Sequence, residues 1–274
     1  MSGGRLAAPS SRARGQVRAY VAGALVGLVV AGLGRSAQSQ GLVEGFRRAV
    51  RAQTAFNRGR ALYDAHDYRE ARARFVEALA LDPAHDGALA LLGWSQYFLG
   101  EYRAATVTFK TALGRQPGWD GLYDGLGWSR FRLARYHLAV EAFQAALDLN
   151  PDYVDALVGL GSAQFELGRY DVAVAPLEKA LRRRTIFLTE ANELPAARAK
   201  LGWSYYYLGH FQEAIDAFDR ALRAVPDGHG LYNGLGWCYL KLGRKPEAQA
   251  AFRRALSLKP DYADALEGLR QASP

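Results

Sequence analysis

Residues 86–119, DGALALLGWSQYFLGEYRAATVTFKTALGRQPGW, are followed without a gap by residues 120–153, DGLYDGLGWSRFRLARYHLAVEAFQAALDLNPDY. The two segments are the same length and align glycine on glycine, alanine on alanine and aromatic on aromatic. Outward from this pair the period continues. Gly59, Gly93, Gly127 and Gly161 stand 34 residues apart, as do Gly202 and Gly236. Twelve residues after each comes an alanine: Ala71, Ala105, Ala139, Ala173, Ala214 and Ala248. Four further on stands a large apolar residue, Phe75, Phe109, Phe143, Leu177, Phe218 or Phe252, then an Ala-Leu pair such as Ala112-Leu113. Prolines at 83, 117, 151, 226 and 260 close the units. This is the pattern of a helical hairpin. Small residues let two antiparallel helices approach, the aromatic fills the space between them, and proline stops the second helix. Glycine-containing turns such as Leu99-Gly-Glu-Tyr102 join the helices. One hairpin cannot bury its apolar stripe, but six stacked ones can.

These residues resemble the tetratricopeptide repeat family, with units at 52–85, 86–119, 120–153, 154–187, 195–228 and 229–262. The resemblance implies an all-α, right-handed α-solenoid whose first helices line a concave face. The segment 188–194 reads as an insertion, and Thr185 replaces the proline expected in the fourth unit. Residues 40–51 are expected to form a basic leader helix. Residues 263–274 are expected to be a capping helix and tail, with Leu266 and Leu269 inward and Asp264, Glu267 and Arg270 in water.

The tryptophans depart from the family pattern. Their usual place early in the first helix holds Leu89, Tyr123, Leu157 and Tyr232, and tryptophan follows the packing glycine instead, at Trp94, Trp128, Trp203 and Trp237. One residue past a core-facing glycine, a side chain is rotated by about 100°, toward the concave face. Tyr63, Tyr97, Phe131, Phe165 and Tyr206 share that stripe, and Phe98, Arg132 and Tyr207 adjoin it. These twelve side chains are the candidate partner groove, interrupted in the fourth unit by Ser162. Two readings stand: each tryptophan packs against the next unit's aromatic, or the rings form a platform for an extended peptide or a polysaccharide. The groove's charges are mixed (Arg60, Asp64, Asp124, Arg132, Asp155, Glu166, Lys200 and Lys241), which disfavours nucleic acid. A clamp for C-terminal carboxylates is disfavoured too, because tryptophan occupies its asparagine place.

The chain of 274 residues carries a formal charge of +8, but residues 1–39 hold five arginines and no acid. Setting those five aside leaves 30 basic residues against 27 acidic ones, so the basic balance belongs to the first segment. There, residues 19–34 are uncharged, a run of 16, short of the roughly 20 residues a spanning helix needs. Two expectations follow for residues 1–39: a signal peptide cut before Gln40, after Ala37-Gln38-Ser39, or a retained membrane anchor with its arginines in the cytoplasm. Both place residues 40–274 outside the cytoplasm, in a bacterial periplasm, with membrane contact only through residues 19–34. One cysteine, Cys238, excludes an intramolecular disulfide. The five histidines fall at turns and repeat boundaries and read as solvated turn residues. No catalytic or phosphate-binding motif occurs, and the Gly-x-Gly strings recur with the helical period as packing glycines. The expectation is a scaffold without enzymatic activity, metal or cofactor, binding a protein or extended peptide in envelope assembly. The alternative is an accessory in glycan synthesis or export.

Overall fold

The computed structural model describes residues 37–183 and 195–273. Among the described residues thirteen helices follow one another: α1 (Ala37–Asp64), α2 (Tyr68–Leu81), α3 (Asp86–Phe98), α4 (Tyr102–Arg115), α5 (Asp120–Arg132), α6 (Tyr136–Leu149), α7 (Val154–Glu166), α8 (Tyr170–Arg183), α9 (Pro195–Tyr207), α10 (Phe211–Ala224), α11 (His229–Lys241), α12 (Lys245–Leu258) and α13 (Ala263–Ala272). The chain divides after Ser129 into two compact units. Each is a stack of helical hairpins, so the all-α solenoid class is observed. Residues 1–36 of the signal-or-anchor segment, Thr185 and the 188–194 insertion lie outside the described residues.

Two small residues around one large one set the spacing of the hairpins. A Cβ placed on Gly93 would lie 2.8 Å from the ring of Phe109, and one on Gly125 would lie 2.4 Å from the same ring. Gly202 and Gly234 hold Phe218 in the same way, at 2.7 and 2.6 Å, and Gly236 and Gly268 hold Phe252 at 2.5 and 2.3 Å. Each ring therefore occupies the space of two missing side chains, one on its own first helix and one on the next hairpin. Phe109, Phe143, Phe218 and Phe252 are fully buried. The Gly-x-Gly strings are packing glycines, as the spacing predicts: in Gly234-Leu-Gly236 the first residue closes the seat of the preceding hairpin's ring and the second opens the seat of its own. At the first junction Leu91 stands in the second glycine's place, and Phe75 shares its space with Phe56, 6.0 Å away between ring centroids.

The turns between paired helices need one left-handed residue. Gly100, Gly168, Gly209 and Gly243 supply it at φ of 72 to 81°, while His66 and Ala134 adopt it at 65 and 56° despite their side chains. Helix starts are fixed locally. Asp67 accepts the backbone N–H of Glu70, and His85 Nδ1 accepts that of Ala88 at 3.1 Å. His85 thus departs from the solvated role expected for it. Its ring packs on Phe56 at 4.4 Å, and burial pushes its pKa down. The thiol of Cys238 lies in the core of the sixth hairpin, where burial pushes its pKa up to about 12.

Both ends differ from the sequence expectation. The leader is no separate element, because α1 runs unbroken through 28 residues into the first hairpin. In α13 the buried face is Ala265, Gly268 and Ala272, whereas Leu266 is 49% exposed. Register explains this: Gly268 must sit on Phe252, and that rotation carries Leu266 outward. It also turns Asp264 back toward the sixth hairpin, where its Oδ2 accepts hydrogen bonds from Asn233 Nδ2 at 2.6 Å and Trp237 Nε1 at 3.1 Å.

Candidate functional site

Trp94, Trp128, Trp203 and Trp237 are all half-buried. Trp94, Trp203 and Trp237 each set an indole edge against the core phenylalanine of their own hairpin. Trp94–Phe109, Trp203–Phe218 and Trp237–Phe252 have centroids 5.3 to 5.4 Å apart and planes at 74 to 78°. The covering partner of these three is therefore within the hairpin, rather than the next unit's aromatic. Trp237 is further tied down by Asp264. In Trp94 the indole N–H is buried with no acceptor among the described residues. Gly121, the second residue of α5, stands where α13 has Asp264, and it has no side chain to offer.

Around these tryptophans the rings gather into two sets, one in each unit. In the first unit Tyr63 meets Tyr68 at 5.4 Å and 70°, and Tyr68 stacks on Phe98 at 4.5 Å and 18°. Phe98 lies over Trp94 at 6.0 Å, Trp94 meets Tyr97 edge-on at 5.7 Å, and Tyr97 meets Tyr102 at 5.5 Å. The second unit repeats the arrangement. Phe165 meets Tyr170 at 5.4 Å, Tyr170 stacks on Tyr207 at 4.3 Å and 17°, and Tyr207 lies beside Trp203 at 6.2 Å. Trp203 then meets Tyr206 at 5.5 Å, and Tyr206 meets Phe211 at 5.7 Å. Corresponding distances differ by no more than 0.2 Å. Offset and edge-to-face pairs in this range add about 0.5–1.5 kcal/mol each beyond area burial, so each set is a stiff, preformed surface. Tyr207 keeps 53% of its surface in solvent. Burial raises the phenol pKa of Tyr63, Tyr206 and Tyr207, so these rings stay neutral hydrogen-bonding groups at any ordinary pH.

Four of the rings that build these sets, Tyr68, Tyr102, Tyr170 and Phe211, were missed in the sequence. Tyr68, Tyr102, Tyr136 and Tyr170 open the second helix of successive hairpins at 34-residue spacing, with Phe211 in the fifth. Each meets the ring five residues before it, Phe131–Tyr136 included, at 5.3 to 5.7 Å. The signal was present in the period. Its meaning was not, because a tyrosine starting a second helix gains a role only through the hairpin stacked on it.

Four of the groove's charges are paired with one another. Lys200 Nζ pairs with Glu166 at 2.5 Å and sits 4.7 Å from the centroid of Phe165 and 6.0 Å from that of Phe131. It occupies the fourth hairpin's side of the groove, where Ser162 leaves the tryptophan position empty of a ring. Arg60 faces Asp64 at 3.9 Å. Arg132 lies exposed in the last turn of α5, outside both ring sets. Among the described residues no cluster of three His, Cys, Asp or Glu could hold a metal, and no helix is long and apolar enough to cross a membrane.

Family models described as tetratricopeptide repeat match residues 62–126, 125–185 and 199–269. No curated protein sequence matches the chain significantly. Among solved structures, the chain resembles one in the APC/C hetero-tetramer Cut9–Hcn1 with a TM-score of 0.65 and 23% identity, over 82% of this chain and 43% of that one. It thus spans less than half of that chain's length. YrrB, described as a TPR protein with an unusual peptide-binding site, aligns with a TM-score of 0.63 and 19% identity, over 72% of this chain and 97% of YrrB. These two likenesses show the fold alone. A thermophilic TPR protein of Thermus thermophilus, TTC0263, aligns with a TM-score of 0.51 and 26% identity, over 69% of this chain and 99% of that one.

Proposed function

The chain belongs to the tetratricopeptide repeat family, and from that premise we propose that it is a non-enzymatic scaffold that binds an extended peptide segment of a protein partner on its aromatic faces. The observation that carries the reading is the repeated six-ring set, with Trp94 in one copy and Trp203 in the other. Preformed aromatic surfaces with internally paired charges select ligands by stacking and shape rather than by net charge. YrrB, whose own binding site takes a peptide, lends the fold-level analogy. The proposal includes a place, a role in envelope assembly outside the cytoplasm, which rests on the uncharged run and arginine-rich start of residues 1–39.

The test is fluorescence titration of the full chain with proline-rich peptides and, separately, with oligosaccharides. Peptide binding should quench the indole emission. Tyr207→Ala should weaken it about tenfold, the loss of roughly 1.4 kcal/mol expected for an anchoring ring. Quenching by oligosaccharides alone, or peptide binding indifferent to Tyr207→Ala and Phe98→Ala together, overturns the reading; the first result would favour the glycan accessory instead.

A further inference from the structure

α1 is 28 residues long, whereas every later first helix of a hairpin has 13. At 1.5 Å per residue the excess adds roughly 22 Å to the helix at its N-terminal end. Arg48 fixes the base of this projection: its Nε and Nη2 donate to the carbonyls of Leu81 and Ala80, at 2.6 and 3.2 Å, at the C-terminal end of α2. That is where a cation suits the helix dipole.

The projecting part carries an apolar face of its own. Leu42, Val43, Phe46, Ala49 and Val50 fall within about 120° of one another at 100° per residue. The residues that pack α1 into the first hairpin, Ala52, Ala55, Phe56 and Gly59, centre about 130° away. The stripe is therefore no continuation of the hairpin core. It is open: Leu42 is 66% and Val50 45% exposed, with Ala49 exposed and Val43 and Phe46 half-buried. On the opposite side stand Glu44, Arg47 and Arg51, with both arginines paired to Glu44 and still largely in water.

What lies next to this stripe in the sequence points to its occupant. Only Arg35 and Ser36 separate α1 from the uncharged run 19–34. Any apolar phase that accepts that run lies within a few residues' reach of Leu42. We infer that the projecting half of α1 lies in the plane of a bilayer surface, with Leu42, Phe46 and Val50 sunk among the acyl chains and Arg47 and Arg51 at the headgroups. An apolar stripe backed by arginines on a helix too polar to span is the pattern of an interfacial helix. α1 then acts as a rigid arm, since the same unbroken helix continues into the first hairpin. The inference is independent of what occupies the aromatic faces.

Cys238 is buried with a thiol pKa near 12, so single cysteines elsewhere can be labelled selectively. Full-length Leu42→Cys, Phe46→Cys and Val50→Cys, each carrying an environment-sensitive fluorophore, are compared with Glu44→Cys and Arg51→Cys on phosphatidylcholine–phosphatidylglycerol vesicles. The first three should shift to the blue and be quenched several-fold more strongly by brominated acyl chains than the last two. Leu42→Glu with Val50→Glu should abolish the shielding at position 46 while the chain stays vesicle-bound through residues 19–34. Equal quenching at all five positions overturns the inference, as does an aqueous spectrum at 42, 46 and 50. Concentration-dependent shielding without vesicles also overturns it, since a second copy would then cover the stripe.

Discussion

Gly159→Ala adds a single methyl group, and the structure says where it goes. Its carbon would lie 2.3 Å from Cζ and 2.4 Å from Cε1 of Phe143, against the roughly 3.5–4.0 Å of a relaxed carbon contact. The ring would have to retreat by more than an ångström, yet Phe143 is wholly enclosed. Overpacking of this kind costs about 1–3 kcal/mol. Replacing a helical glycine by alanine returns roughly 0.5–1 kcal/mol. Sterics win by about 1–2 kcal/mol, a fall in Tm of roughly 2–8 °C for a chain this size. Gly114→Ala in α4 is the matched control, because nothing lies within 4 Å of its added carbon; it should be neutral or stabilising by at most about 1 kcal/mol. Phe143→Leu should relieve the clash, leaving the double variant less destabilised than the sum of the singles by about 0.5 kcal/mol or more. The fourth hairpin has made a similar exchange, with Leu177 as the large residue and Lys200 where the following hairpin would otherwise place glycine. Thermal and urea unfolding followed by circular dichroism measure all four. If Gly159→Ala matches Gly114→Ala, or the double variant is strictly additive, the seat does not set the hairpin spacing.

Ala134→Gly should raise stability by up to about 1 kcal/mol, since it removes a left-handed alanine at a cost in unfolded-chain entropy smaller than the strain relieved; a lower Tm would contradict this. Asp264→Ala removes the acceptor shared by Asn233 and Trp237 and should cost about 1–3 kcal/mol, with a shift in the Trp237 emission that the isosteric Asp264→Asn largely avoids. The thiol of Cys238 should resist a thiol-specific reagent at pH 8 in the native chain and react fully in denaturant. Its pKa is raised from 9.0 to about 12 by burial, so the folded state holds the proton more tightly than the unfolded one. Its contribution is therefore complete below pH 9 and is lost as the pH climbs from 9 toward 12. A Cys238→Ala chain with the same alkaline loss would show that another group is responsible.

The hairpins were legible because their determinants are local and periodic: glycine, alanine, a large apolar residue and, outside the fourth unit, proline recur at fixed offsets. Where the structure departs from the sequence reading, a neighbouring hairpin decides the outcome. Leu266 fits an inward stripe on a wheel of α13 alone, but the seat of Gly268 on Phe252 overrides that wheel. Trp94 and Trp203 lie on the expected stripe, yet their burial depends on Phe109 and Phe218 from the partner helix. Tyr68 and Tyr170 were invisible as site residues because Phe98 and Tyr207, which stack on them, come from the following first helix. The continuity of α1 follows from the absence of any proline, or of a left-handed glycine, between Ala37 and Asp64, a negative signal that a search for leader and repeat as separate pieces passes over.

The seating of α13 has a consequence for how such an array grows. Through Gly268 it grips Phe252 as Gly125 and Gly234 grip earlier rings, and at that seat it serves the sixth hairpin as the opening of a seventh would. A duplicated copy of residues 229–262 spliced in ahead of Ala263 would find its docking geometry ready at both seams. Length in this molecule is thus a parameter that gene duplication can change in whole steps, with α13 able to seat on whichever unit precedes it.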